Sequence, residues 1–165
     1  MMKNNDKLII FDMDGTIADL YNTDNWSERL DNGDATVYAD AKPMVNMPEF
    51  HSLLNALKIA GYKVIILSWL SKNDDPDFHK RIITEKKNWI KKYNIPVDDI
   101  IITKYGVNKH DTIINKFSST DITIFDDDAT VRASFSENNA VDPQKTNINQ
   151  FLRVMLSNID FNTDI

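Results

Sequence analysis

Near-continuous runs of Ile, Leu, Val and Phe recur along the chain, and each run ends in a polar or acidic residue. They cover residues 7–12 (KLIIFD), 62–68 (YKVIILS), 98–103 (DDIIIT) and 121–126 (DITIFD), and a shorter run covers 139–142 (NAVD). Apolar and polar positions do not alternate in the four longer runs, as they would in a strand with one face in water. Strands have this composition when both faces of their sheet are covered. The sequence therefore predicts a buried, parallel β-sheet.

Helical patterns of apolar residues separate these runs. The predicted helices extend from Pro48 to a stop at Gly61, over 76–93, and over about 109–117, 128–137 and 147–158. Strands that alternate with helices of this length indicate an α/β fold, a three-layer α/β/α sandwich around a parallel sheet. Such sheets bind ligands outside the carboxyl ends of their strands, so the residues that end each run are the first candidates for a site.

One long segment, residues 19–47, interrupts this regular alternation. It is too long for a simple turn and too polar for a core strand or helix. We expect a small cap-like insert, helical around Trp26 to Leu30, that lies over the strand ends. The chain has no internal repeat or low-complexity segment. At 165 residues it is large enough to bury a core without disulfides or metals, so we expect a single domain over 1–165.

Composition excludes several classes of chemistry. The chain contains no cysteine, which excludes thiol catalysis, disulfides and cysteine-based zinc sites. The apolar run near the N-terminus, Leu8 to Phe11, is too short for a signal peptide or a membrane span. We therefore expect a cytoplasmic protein with no membrane partner. The net charge of −6 argues against a large electrostatic contribution to nucleic-acid binding. The sequence leaves the oligomeric state open.

Acidic, hydroxyl and ammonium groups follow or precede three of the predicted strands. They are Asp12, Asp14, Ser68, Lys109, Asp126 and Asp127. Converging carboxylates repel one another unless a cation lies between them, and Mg²⁺ prefers such hard oxygen ligands. One carboxylate can attack phosphorus and form an aspartyl-phosphate, and a second can protonate the leaving oxygen. A hydroxyl and a lysine can hold the phosphoryl oxygens. The set suits phosphoryl transfer with a magnesium ion.

Four motifs carry a resemblance to a known family. FDMDGT, residues 11–16, resembles the first motif, DxDGT, of haloacid-dehalogenase-type phosphatases. IILS at 65–68 resembles the second, Lys109 the third, and IFDDD at 124–128 the fourth. The motifs occur in the family's order over residues 8–128, and the resemblance implies a Rossmann-like sheet with strand order 5-4-1-2-3.

The resemblance also implies a role for each motif residue. Asp12 would be the nucleophile and a Mg²⁺ ligand. Asp14 would be the acid and base, and would bind Mg²⁺ through its backbone carbonyl. Asp126 would be the metal ligand of the fourth motif, and Asp127 would bind the metal through water or orient Lys109.

Several assignments remain open. Lys104 competes with Lys109 as the phosphate-binding lysine, and we favour Lys109 because it lies at a predicted helix start. The run of three aspartates leaves the ligand register open by one residue, and we favour Asp126 because it ends the apolar run. The predicted substrate-binding residues are Thr16, which would also fix the loop after the first strand, Trp69, Tyr21 and Arg29.

We expect a small phosphorylated substrate, first of all a nucleoside monophosphate, as in small 5′-nucleotidases. The aromatic residues Tyr21, Trp26 and Trp69 support this choice because a base could stack on them. A polynucleotide 3′-phosphatase is the alternative enzyme, favoured by the lack of a large cap. A receiver-like phosphoacceptor is disfavoured because the third run ends in Thr103 instead of an aspartate. A phosphate-binding protein without catalysis is disfavoured because all four motifs are intact.

Overall fold

The computed structural model describes residues 5–159. In chain order its elements are β1 (Lys7–Phe11), β2 (Ala18–Asp19), α1 (Trp26–Asp31), α2 (Val37–Asp40), β3 (Lys42–Pro43), α3 (Met47–Ile59), β4 (Tyr62–Trp69), α4 (Pro76–Lys92), β5 (Asp99–Thr103), α5 (Lys109–Lys116), β6 (Asp121–Phe125), α6 (Ala129–Ser134), β7 (Asn139–Val141) and α7 (Ile148–Ser157). The single domain expected over 1–165 extends beyond the described residues at both ends and stays a prediction. Among the described helices, none is long and apolar enough to cross a bilayer.

Five parallel strands form the main sheet, in the order β5-β4-β1-β6-β7. Strand β1 lies in the centre, where Phe11 pairs with Ile66 of β4 and with Phe125 of β6. When these five strands are numbered 1 to 5 in chain order and read from the β7 edge, their order is the predicted 5-4-1-2-3. The predicted fold class is confirmed, and each predicted strand differs from the observed one by one residue at an end.

The two faces of β1 are both covered by helices. Ile9 and Phe11 belong to a core cluster with residues of α3, α4 and α7, whereas Leu8 and Ile10 belong to one with residues of α5 and α6. All four side chains are completely buried. This burial on both faces is the physical reason that the strand sequences are continuously apolar.

The segment between β1 and α3 forms a small layer of its own. Strands β2 and β3 pair antiparallel, with Ala18 opposite Pro43, and α1 and α2 lie between them in sequence. Helix α1 corresponds to the helix expected at Trp26 to Leu30. Part of this segment packs into a hydrophobic cluster despite its polar composition, because Val37 and Tyr38 of α2 are buried against α4. Four residues are too few for a helical period to be visible in the sequence, so α2 was not expected.

Candidate active site

Two adjacent strands place the central carboxylates side by side. The backbone N–H of Asp12 donates to the carbonyl oxygen of Phe125 at 2.9 Å, so the residues that follow β1 and β6 are neighbours. Asp12, Asp126 and Asp127 each contribute a carboxylate oxygen to a cluster in which these atoms lie within 4.8 Å of one another. Asp126 is completely buried and Asp12 is 7% exposed. The structure thus brings together three of the residues that the sequence placed at strand ends.

Lys109 is the cation within this cluster. It begins α5, whose first turn is capped by Asn108, and its Nζ donates to Asp12 Oδ1 at 2.9 Å and to Asp126 Oδ2 at 2.6 Å. Burial alone would lower the pKa of Lys109, but the two carboxylates outweigh it and the pKa is raised. Lys104, the other lysine considered from the sequence, is exposed. Of the two lysines, Lys109 is therefore the one that contacts the carboxylate cluster.

The three consecutive aspartates have separate positions. Asp126 Oδ1 accepts a hydrogen bond from the backbone N–H of Asp128 at 2.9 Å. Asp128 caps α6, with Oδ1 accepting from the N–H groups of Thr130 at 2.7 Å and Val131 at 3.1 Å. Its side chain is thus committed to the helix end, and Asp126 and Asp127 are the members of the run in the carboxylate cluster.

The cluster has more negative charge than Lys109 can balance. Burial, followed by repulsion from Asp12, raises the pKa of Asp126 to about 7. The same causes, with repulsion from Asp126 added, raise the pKa of Asp127 to about 7. A divalent cation among these oxygens would remove the repulsion, and three converging carboxylates are the hard donors that Mg²⁺ prefers. The residues present therefore fit a magnesium ion.

The turn after β1 depends on Gly15. Its φ of +75° is a conformation that residues with a side chain rarely adopt. A Cβ at this position would lie 2.5 Å from Oδ2 of Asp127 and 2.6 Å from Cε2 of Tyr21. A side chain at position 15 would therefore strain the backbone and displace the side chains of Asp127 and Tyr21.

A second buried lysine, Lys86 of α4, was missed by the sequence analysis. Its Nζ donates to Asp14 Oδ2 at 2.6 Å, to Ser68 Oγ at 2.7 Å and to the carbonyl oxygen of Trp69 at 2.8 Å. The available signal was its position, because Lys86 lies four residues after Ile82 and four before Ile90, on the inward face of the helix. Burial raises the pKa of Asp14 even though Lys86 opposes the shift. A raised pKa favours the protonated form of a carboxyl group, which is the form that a general acid needs.

A cleft of about 730 Å³ opens above these groups. Beyond the charged residues, its walls include five aromatic side chains: Tyr21, Trp26, Tyr38, Trp69 and Tyr105. The ring of Trp69 lies 4.9 Å from Lys109 Nζ, and its Nε1 donates to the carbonyl oxygen of Val107 at 2.9 Å. Tyr105 contacts Trp69 with ring centroids 5.1 Å apart. The cleft therefore joins a charged floor to aromatic walls.

Several solved structures resemble this architecture, among them the following two. The D,D-heptose 1,7-bisphosphate phosphatase of Burkholderia thailandensis matches with a TM-score of 0.50 at 12% identity, covering 92% of this chain and 99% of that one. The HAD (haloacid-dehalogenase) domain of the effector protein Lem4 of Legionella pneumophila matches with a TM-score of 0.52 at 16% identity, covering 94% and 96%. The chain has the HAD-like fold. No family model and no curated protein matches the sequence, so the likeness is one of fold.

Within this HAD-like fold, two predicted substrate-binding residues lie away from the cleft. Arg29 pairs with Asp34 at 2.7 Å and with Asp40 at 2.8 Å, which ties α1 to α2 within the insert. Thr16 is 1% exposed and borders a separate hollow with Asn149. Tyr21 and Trp69 do line the cleft. Arg29 was a candidate because the insert was expected to face the substrate, but the acidic residues within the insert hold its guanidinium instead.

Proposed function

We propose that this protein is a magnesium-dependent phosphomonoester hydrolase that acts through an aspartyl-phosphate on Asp12, most readily on nucleoside monophosphates. The observation that carries the proposal is the single cluster of Asp12, Asp126 and Asp127 oxygens, bridged by the buried Lys109. The solved structures that the fold resembles include a D,D-heptose 1,7-bisphosphate phosphatase, which is consistent with phosphoryl chemistry in this chain.

In the proposed reaction, an oxygen of Asp12 attacks phosphorus and the bond from phosphorus to the leaving oxygen breaks. Asp14 gives its proton to that oxygen, which departs as an alcohol. Asp14 then accepts a proton from water as the water attacks the phosphorus of the aspartyl-phosphate, which releases phosphate and restores Asp12. Lys109 and Ser68 offset the charge on the phosphoryl oxygens. Mg²⁺, held by Asp12, Asp126, Asp127 and the backbone carbonyl of Asp14, would supply further positive charge at the phosphoryl group.

Aromatic residues support the choice of a nucleotide. Tyr21 and Trp26 pack edge to face at 5.0 Å on one side of the cleft, and Trp69 and Tyr105 lie on another. A base stacked on such rings gains about 1–3 kcal/mol. The cleft volume of about 730 Å³ lies in the range of sites that hold a small molecule.

A substrate panel tests the proposal. We expect sustained phosphate release from nucleoside monophosphates and from p-nitrophenyl phosphate with Mg²⁺, and none after chelation. Sugar phosphates and a 3′-phosphorylated oligonucleotide complete the panel. Preference for the oligonucleotide would favour the polynucleotide 3′-phosphatase over the nucleotidase. No release from any substrate with Mg²⁺ would contradict the proposed activity altogether.

Replacement of Asp12 tests its role as the nucleophile. We expect Asp12→Asn to lower kcat by about 10⁴-fold or more, the scale on which loss of a nucleophile acts, because an amide does not attack phosphorus. Asp77→Asn is the control, since that carboxylate lies on the surface with 80% of its side chain exposed. Thermal unfolding of both variants confirms that they are folded. Turnover by Asp12→Asn close to that of the control would refute the role of Asp12.

A further inference from the structure

Lys86 uses all of its hydrogen-bonding capacity inside the protein. An ammonium group has three N–H donors, and the three partners of Lys86 Nζ lie at 2.6, 2.7 and 2.8 Å. The side chain has no solvent exposure, and the ring of Tyr38 covers Nζ with its centroid at 4.7 Å. The three hydrogen bonds therefore fix the position of the ammonium, and Tyr38 of the insert separates it from solvent.

Two of the three partners are groups that the proposed reaction uses. Lys86 holds Oδ2 of Asp14, while Asp14 Oδ1 has no hydrogen-bond partner within the described part of the chain. One oxygen of the acid is thus anchored and the other is left for the proton that the reaction moves. Ser68 Oγ accepts from Lys86, so its own O–H is left to donate to a phosphoryl oxygen.

The buried face of α4 around Lys86 is otherwise apolar. The other buried residues of α4 are Phe78, Ile82, Trp89 and Ile90, and an apolar side chain at position 86 would continue this face. Burial of an ammonium in such a core has a desolvation cost that its ion pair with Asp14 does not reliably offset. A charge retained under these conditions points to a role beyond packing.

We propose that Lys86 is a positioning residue that holds Asp14 and Ser68 in their reactive orientations, an inference that rests on the phosphatase activity proposed above. Lys86 acts through these two side chains and does not itself touch the substrate. It is distinct from Lys109, which contacts Asp12 and Asp126. The active site then contains two buried lysines with different roles. Lys109 contacts the nucleophile Asp12 and offsets charge on the phosphoryl group, whereas Lys86 positions Asp14 and Ser68.

The choice of leaving group separates this role from a structural one. The ratio kcat/KM reports steps up to formation of the aspartyl-phosphate. In those steps an alkyl leaving group needs a proton from Asp14, whereas p-nitrophenolate leaves without one. For Lys86→Met we expect kcat/KM to fall about 10²-fold or more with a nucleoside 5′-monophosphate or another alkyl phosphate that the wild type hydrolyses. The fall with p-nitrophenyl phosphate should be at least about tenfold smaller, reflecting the loss of Ser68 alignment alone.

Lys87→Met is the matched control, because Lys87 is the next residue on the same helix and is exposed. It should leave both ratios unchanged. Lys86→Met removes the partner of a buried carboxylate and can impair folding, so Lys86→Gln is measured beside it. The amide of Gln retains a donor for Asp14, and we expect the same dependence on the leaving group at smaller amplitude.

The two proposals fail in different ways. If the wild type hydrolyses no phosphate ester, the proposed function is wrong. If the wild type is active and the Lys86 variants lose the same factor on both substrates, or lose nothing, the positioning role is wrong and the proposed function stands. A loss concentrated on the alkyl phosphate, absent in Lys87→Met, supports the positioning role.

Discussion

Replacement of Lys109 by Met should destabilise the metal-free protein strongly. The substitution keeps most of the side-chain volume but removes the ammonium that lies 2.9 Å from Asp12 and 2.6 Å from Asp126. Removal of one partner from a buried ion pair costs about 3–5 kcal/mol, because the remaining charge has lost its partner. For a domain of this length each kcal/mol lowers Tm by about 2–4 °C, so we expect a fall of about 6–20 °C.

Thermal unfolding followed by circular dichroism, in chelator and then in Mg²⁺, measures this effect. Lys104→Met is the control: that lysine is exposed, and its loss should change stability by less than about 0.5 kcal/mol. Mg²⁺ should raise Tm more in Lys109→Met than in the wild type, since the ion replaces the missing positive charge and binds only the folded cluster. Equal destabilisation by the two substitutions, or an equal response to Mg²⁺, would refute the assignment of Lys109 as the counter-cation of the cluster.

Two further predictions concern the same cluster. Gly15→Ala should abolish activity and destabilise the fold by more than Gly106→Ala. Both glycines have a positive φ (+75° and +83°), but of the two only Gly15 has atoms that a Cβ would meet. Equal losses of stability in denaturant titrations would argue against the close packing of Asp127 on the loop. The raised pKa values of Asp126 and Asp127, each about 7, mean that folding without metal takes up protons, so stability should fall as pH rises from about 4 to 7. Mg²⁺ displaces those protons and should therefore raise Tm more at pH 8 than at pH 5, whereas an increment independent of pH would contradict binding at these carboxylates.

The sheet and the residues at its edge were predictable from the sequence because they follow from local patterns. A continuously apolar run indicates a strand covered on both faces. The polar residue that ends each run lies at the carboxyl edge of the sheet, and this does not depend on the conformation of the loops. For this reason Asp12, Ser68 and Asp126 could be named in advance. The proximity of Lys109 to the aspartates also followed, through the resemblance of the motifs.

Other parts of the site depend on tertiary contacts that no local pattern encodes. Lys86 contacts Asp14, which lies 72 residues earlier in the sequence. The other buried positions of α4 are apolar, so a charged residue was not expected among them. Arg29 was predicted to bind substrate, but its guanidinium pairs with Asp34 and Asp40. In each case the partner of a charged side chain was decided by the packing of α4 and the insert.

A crystal structure with Mg²⁺ and beryllium fluoride, which mimics a phosphoryl group on a carboxylate, would show which aspartate is the nucleophile. The assignment of Asp12 as the nucleophile predicts a fluoroberyllate bound to its carboxylate, with Lys109 and Ser68 on the fluorines and the metal held between Asp12 and Asp126. A fluoroberyllate bound to a different aspartate, or a metal ion that avoids the Asp12, Asp126 and Asp127 oxygens in those crystals, would contradict it.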